Sequence, residues 1–186
     1  MRHSKFSAAA ILLATSGSAF AHPGHDVSGF SAGLLHPFSG LDHLLAMFAV
    51  GLWAAQSGGR KMWLLPAAFM SMLATGAVAA LNFPHLPFVE TGISASVLAL
   101  GLLVALSLKL PTALSITITA LFGFMHGYAH GLELPSSASP ATYALGFLAA
   151  TATLHLCGIG TGTAARKSHA ALGMAIAACG AWMLVA

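Results

Sequence analysis

The sequence predicts an all-α protein: an integral membrane bundle of six transmembrane helices that follows a cleaved N-terminal signal peptide. Three observations support this fold class. Of the 186 residues, 58% are hydrophobic and only 6% are charged, whereas soluble domains carry about 25% charged residues. Apolar segments of spanning length recur along the chain, and Lys and Arg fall in alternate connections between them. No connection is long enough to hold a soluble domain, so we expect a single domain over residues 22–186.

The first 21 residues have the pattern of a secretory signal peptide. Arg2 and Lys5 precede a short apolar stretch at 6–14, and Ala19 and Ala21 form a small-x-small ending. The apolar stretch is too short to cross a hydrocarbon core of about 30 Å. We therefore expect cleavage after Ala21.

The apolar segments after the signal each approach the ~20 residues that a spanning helix needs. Glycine, serine and proline clusters such as Ser57-Gly58-Gly59 and PSSASP separate them, which is typical of turns. The predicted spans are 33–55, 62–81, 88–108, 112–132, 141–161 and 170–186.

The basic residues predict how these spans are oriented. Those of the mature chain lie only in the first, third and fifth connections, as Arg60, Lys61, Lys109, Arg166 and Lys167. Because basic residues stay on the cytoplasmic side, we expect a multi-pass protein of the bacterial inner membrane with both mature termini in the periplasm. So few and scattered basic residues do not form a nucleic-acid surface.

The stretch HPFSGLDH at 36–43 places polar side chains in the outer half of the first span. His36 and His43 are seven residues apart and share a helix face, whereas Asp42 points about 120° away in an ideal helix. Pro37 and Gly40 predict an irregular helix start. Whether Asp42 faces an ion beside His43 or braces a histidine from behind stays open at this point.

The stretch FMHGYAHGLE places a second polar group in the outer half of the fourth span. His126, His130 and Glu133 fall within an arc of about 60° on an α-helix. A stripe of small residues at 123, 127 and 131 runs beside them and favours the close approach of another helix. An unpaired carboxylate inside a bilayer costs on the order of 3 kcal/mol, so we expect the two groups to form one site.

Imidazole and carboxylate ligands together suit borderline divalent ions such as nickel, zinc, cobalt or ferrous iron. Two carboxylates would also cancel the charge of a dication, as a low-dielectric environment requires. The predicted metal-binding residues are His36, Asp42, His43, His126, His130 and Glu133.

Four further residues are secondary candidates for metal capture: His22, His25, Glu90 and His155. The first two would stand at the mature N-terminus, where solvated polarity is an equal explanation. Glu90 at the outer end of the third span either joins the site or faces water. His155 either contacts an ion or hydrogen-bonds a neighbouring backbone group or serine, and His169 is expected on the cytoplasmic surface.

The two motifs, HPFSGLDH and FMHGYAHGLE, resemble those of the HupE/UreJ family of hydrogenase- and urease-accessory nickel permeases. The resemblance covers the signal peptide, the six spans and both motifs in order. It implies a secondary permease, not an enzyme, that takes up Ni²⁺ for hydrogenase or urease and holds no resident cofactor, with Co²⁺ or another divalent ion as an alternative cargo. It also implies that the six histidines and acids named above serve transport.

A function of another class stays open from the residues alone. Three histidines could hold Zn²⁺ with an open position for water and a carboxylate as base, which would make an intramembrane zinc-dependent hydrolase. The chain has no GxxxxGK loop, so we do not expect ATP to drive a transport reaction.

Overall fold

The computed structural model describes residues 29–83 and 86–186, and every regular element in them is helical. The predicted signal peptide, His22 and His25 lie outside the described residues. The elements, in chain order, are α1 (Gly29–Leu35), a 3-10 turn (His36–Phe38), α2 (Leu41–Ser57), α3 (Lys61–Asn82), α4 (Val89–Ala105), α5 (Thr112–Leu132), α6 (Pro140–Ala164), a second 3-10 turn (Arg166–Ser168) and α7 (His169–Val185).

The first predicted span, at 33–55, is wrong as one continuous helix. Gly29–Phe38 and Leu41–Ser57 meet at an angle of 80°. Pro37 lies in the 3-10 turn and Gly40 is extended, with φ −105° and ψ 119°. Proline cannot donate a backbone hydrogen bond, so the chain changes direction where the sequence predicts an irregular start. The other five predicted segments coincide with α3 to α7 within a few residues.

Three stretches of the described chain are long and apolar enough to cross a membrane: Lys61–Asn82, Pro140–Ala164 and Arg166–Val185. The bent pair of α1 and α2 makes a fourth if it counts as one span, and α4 is a shorter apolar helix. The protein is therefore a multi-pass membrane protein, whereas the count of six spans stays a prediction.

Glycines let the helices pack in close pairs. The stripe of small residues on α5 lies against α3, where a Cβ on Gly123 or Gly127 would overlap backbone atoms of Phe69 or Leu73. The sequence predicts that some helix packs closely against this stripe, and the structure shows that this helix is α3. Close glycine contacts also join α2 to α6 at Gly51 and α4 to α7.

The turns between α2 and α3, α4 and α5, and α6 and α7 converge at one end of the bundle, which we call the inner end after the side that the sequence predicts for it. A cavity of about 530 Å³ opens there, lined by Lys61, Lys109 and Arg166 among others. The sequence predicts one common side for these basic residues, and the structure brings three of them around one cavity. The bend between α1 and α2 and the C-terminal end of α5 lie at the opposite, outer end.

Candidate metal site

The bend between α1 and α2 presents one histidine on each side of it to the C-terminal end of α5. His36 lies in the 3-10 turn, and Ser39 closes that turn by donating from its Oγ to the His36 carbonyl at 2.6 Å. His43 lies in the first turn of α2. A straight helix would stack these two side chains along one axis, whereas the bend allows their ring centres to come within 6.5 Å.

Asp42 holds the ring of His43. Its Oδ1 accepts a hydrogen bond from His43 Nδ1 at 2.6 Å and another from the His43 backbone N–H at 2.7 Å. A Cβ at Gly40 would stand 2.7 Å from the same oxygen, so only glycine leaves this pair room. With its proton on Nδ1, His43 keeps a lone pair on Nε2, and this buried atom has no hydrogen-bond partner among the described residues. A carboxylate behind a histidine is the usual support of a metal ligand.

His126 on α5 is fixed in the same way by Ser96 of α4. Ser96 Oγ donates to the Ile93 carbonyl at 2.7 Å and therefore accepts from His126 Nε2 at 2.9 Å. The remaining nitrogen, Nδ1, is buried and carries a lone pair with no hydrogen-bond partner in the described chain. Sequence reasoning missed Ser96, because no pattern on α4 marks which of its serines faces α5.

His130 stands at the centre of the group, which we call the outer cluster: His36, His43, His126, His130 and Glu133, with Asp42 behind. Its ring centre is 4.1 Å from that of His43 and 4.7 Å from that of His36. The ring of His126 is 4.9 Å from that of His43. Neither nitrogen of His130 has a hydrogen-bond partner among the described residues, although the residue is 1% exposed.

Glu133 closes the outer side of the cluster. Its Oε2 accepts a hydrogen bond from His36 Nε2 at 2.9 Å and lies 3.6 Å from His130 Nδ1. These three residues each offer one ligand atom, and those atoms lie within 4.8 Å of one another. The hydrogen bond from His36 stabilises the charged form of this carboxylate.

Exposure falls steadily through the cluster. The side chain of Glu133 is 50% exposed and that of His36 is 27% exposed, whereas His43 and His130 are buried and His126 is fully enclosed. An ion would therefore meet the carboxylate first and the buried imidazoles afterwards. Tyr143 and Phe147 of α6 wall the opposite side, with the ring of Phe147 3.9 Å from that of His130.

The structure thus brings all six predicted residues to one place. Five of them lie side by side, and Asp42 is connected to them by its hydrogen bond to His43. Of the secondary candidates, the two that lie among the described residues, Glu90 and His155, do not join them. Glu90 is exposed in the first turn of α4 and has no hydrogen bond or ion pair in the described chain. His155 is buried on α6 and lies beside Phe69, whose ring centre is 5.2 Å away.

The structure decides two points about the remaining histidines. Of the two alternatives for His155, the hydrogen bond to a neighbouring group is not found, since both of its ring nitrogens lack a partner among the described residues. The expectation of an exposed His169 is wrong: the residue is buried, and its Nε2 donates to the Gly162 carbonyl at 2.7 Å. It begins α7 at the point where that helix folds back on α6, and it borders the inner cavity there.

The chain matches known proteins over nearly its whole length. Residues 10–183 match the family described as HupE / UreJ protein. The chain is 43% identical over 190 residues to Protein HupE of Rhizobium leguminosarum bv. viciae, and the match covers all of both chains. No solved structure matches the chain.

Proposed function

We propose that this chain, which belongs to the HupE/UreJ family, is a secondary membrane permease that carries a divalent transition-metal ion, above all Ni²⁺, inward across the bacterial inner membrane. Family membership supports this class of protein. The six-span topology, the periplasmic termini, the identity of the ion and its delivery to hydrogenase or urease are parts of the same proposal.

The observation that carries the proposal is the convergence of three buried imidazoles in the outer cluster. His43 Nε2, His126 Nδ1 and both nitrogens of His130 lack hydrogen-bond partners in the described chain, and each neutral ring offers one lone pair. A buried polar atom without a partner costs about 1–3 kcal/mol, and several in one place are hard to explain by packing. An ion that prefers imidazole nitrogen would occupy these atoms.

Charge balance also favours a dication. Asp42 and Glu133 supply two carboxylates, so the cluster with a bound dication is close to neutral. An uncompensated dication at the same depth would meet a large desolvation cost. Asp42 contributes as a positioning residue, because its Oδ1 is held by His43, whereas Glu133 reaches the space between His36 and His130 directly.

The membrane potential can supply the driving force. A potential of 100 mV favours inward movement of a dication by about 4–5 kcal/mol, twice the value for one charge. The protonated side chains of Lys61, Lys109 and Arg166 at the inner cavity offer a cation no ligand atom, so they do not hold an ion at this end. Moderate affinity at each position is what transport requires, since an ion held too tightly does not move on.

The zinc hydrolase has no support from the comparisons, since the matched family and the full-length relative give no indication of a hydrolase.

Uptake by the purified full-length protein tests the proposal. Sealed vesicles that contain the native chain, with an inside-negative potential, should accumulate Ni²⁺ well above empty vesicles. A variant with both His36→Ala and His130→Ala should match the empty vesicles, because the two ligands beside Glu133 are gone. Native protein that gives no uptake of Ni²⁺ or Co²⁺ contradicts the permease; uptake that survives the double change removes the site and keeps the permease.

A further inference from the structure

The outer cluster accounts for the polar residues near the outer end, but it leaves one buried histidine unexplained. His155 lies on α6 and is 1% exposed. Both of its ring nitrogens lack a hydrogen-bond partner in the described chain. A histidine that only stabilised the bundle would bond a neighbouring backbone carbonyl, as His169 does with Gly162.

Along α6, His155 lies between the outer cluster and the inner cavity. Phe147, which contacts His130, is eight residues before it, and Gly162, which lines the inner cavity, is seven residues after it. At 1.5 Å per residue, these intervals are about 12 Å and about 10 Å. The histidine is therefore too deep to belong to the outer cluster and too far from the inner cavity to be part of its wall.

One face of α6 connects these levels. Phe147, Thr151, His155 and Gly162 follow one another at spacings of four, four and seven residues, which keeps them within an arc of about 80°, and all four are buried. Thr151 Oγ1 donates to the Phe147 carbonyl at 2.9 Å and so keeps its lone pairs for an acceptor role. The stripe thus carries two polar side chains between the outer cluster and the inner cavity.

A single aromatic ring separates His155 from the deepest member of the cluster. The ring centre of Phe69 on α3 is 5.6 Å from that of His126 and 5.2 Å from that of His155. Phe69 is fully buried and stands almost perpendicular to the His155 ring, at 88°. A cation is attracted to an aromatic face and can therefore pass Phe69. The ring has no ligand atom that would hold the cation there.

We infer that His155 is a second, weaker binding position for the transported divalent ion, reached from the outer cluster past Phe69 and emptied into the inner cavity. The inference rests on the proposed function, since it concerns the same cargo. One imidazole, with Thr151 one turn before it and no charged neighbour in the described chain, leaves the charge of a dication uncompensated, so an ion stays there only in passing and less firmly than in the cluster. With two positions of unequal affinity, an ion can leave the cluster without crossing a single large free-energy barrier.

The test compares His155→Leu with His155→Cys in full-length protein. Leucine fills a similar volume without a ligand and removes two unpartnered nitrogens, so the variant should melt no lower than the native chain. It should still bind Ni²⁺ at the outer cluster with unchanged affinity, yet its uptake into vesicles should fall at least about tenfold. Cysteine offers a thiolate ligand for such an ion and should restore part of the uptake. The neighbouring change Leu156→Ala, on the exposed side of α6, should have no effect.

The outcomes separate this inference from the proposed function. If native protein takes up Ni²⁺ and His155→Leu does so within twofold of it, the second position is overturned and the permease stands. An equal loss of Ni²⁺ uptake in the leucine and cysteine variants also overturns the second position, because a side chain that can bind the ion then does no better than one that cannot. A leucine variant that melts well below the native chain shows that the histidine is structural. Native protein without any uptake removes the proposed function and this inference together.

Discussion

The two ends of the bundle differ in what they offer a cation. The outer end gathers imidazoles and two carboxylates into one cluster whose exposure falls from Glu133 to His126. The inner end opens into a cavity lined by Lys61, Lys109 and Arg166. The outer end therefore offers a dication imidazole and carboxylate ligands, whereas the inner end presents positive charge to it.

The difference also appears in how the polar groups are paired. At the inner end Lys61 donates to the Leu110 carbonyl at 2.6 Å and His169 donates to Gly162, so these side chains hold the turns together. At the outer end several imidazole nitrogens have no partner in the described chain. Buried polar groups in folded proteins are usually hydrogen-bonded, so the unpartnered imidazoles of the outer cluster call for an explanation that Lys61 and His169 do not need.

The largest effect should follow from His130→Leu, because this residue contacts both halves of the outer cluster. Loss of a residue that merely supports a metal ligand costs about 10–100-fold in affinity, so loss of His130 should weaken Ni²⁺ binding at least about 100-fold. The melting temperature should not fall, since two unpartnered buried nitrogens disappear. Calorimetric titration and thermal unfolding of the purified protein check both points, with the exposed change Leu132→Ala as control. A less stable variant with unchanged binding would show a structural histidine.

Asp42→Asn should have the next largest effect, because it weakens the bond that fixes the His43 ring. The expected loss of Ni²⁺ affinity is about 10–100-fold, with the other imidazoles still in place. Ser39→Ala, which removes a hydrogen bond to the His36 backbone carbonyl without touching the pair, provides the comparison. Equal losses in the two variants would mean that Asp42 only stabilises the bend.

Glu133→Gln should reduce uptake more than it reduces binding. The carboxylate is half exposed at the mouth of the cluster, so its charge attracts the ion before the imidazoles take it. We expect initial uptake at low Ni²⁺ concentration to fall about tenfold, with a smaller difference at high salt because salt screens exposed charges. A salt-independent loss would instead indicate that Glu133 is a ligand as strong as the histidines.

Lys109→Gln at the inner cavity should have the smallest effect. Lys109 is exposed, and no hydrogen bond or ion pair to it exists in the described chain. Removing one of several positive charges should change uptake by no more than about twofold, as expected for an exposed charge. A larger loss, with normal insertion verified by protease accessibility of the turns, would assign the inner end a role in holding the ion.

Much of this arrangement could be predicted from the sequence. The spacing of His126, His130 and Glu133 fixes their common face on α5, and the basic connections predict which ends meet. The bend at Pro37 and Gly40 could be expected, but its angle of 80° could not, because it depends on how α1 packs against α6. Ideal helix geometry turns Asp42 away from His43, whereas the first turn of α2 lets its side chain reach the ring.

The contacts of Ser96 and Phe69 could not be predicted, because they join helices that are distant in the chain. His155 could be named as a candidate, but its position beside Phe69 could not. Ser96 meets His126 across the α4–α5 interface, and Phe69 meets His126 and His155 from a third helix. A single sequence shows which side chains are polar. It does not show which of them lack a partner once the helices have packed.

X-ray absorption of Ni²⁺ bound to the full-length protein tests the central claim most directly. Imidazole rings give a multiple-scattering pattern that water and carboxylate do not. The native protein should show about three imidazole nitrogens with oxygen in the remaining positions, as expected for a borderline ion in a histidine-rich site, and His43→Leu should show one imidazole fewer. A shell made only of oxygen, or the same shell in both proteins, would contradict the claim that the outer cluster binds the transported ion.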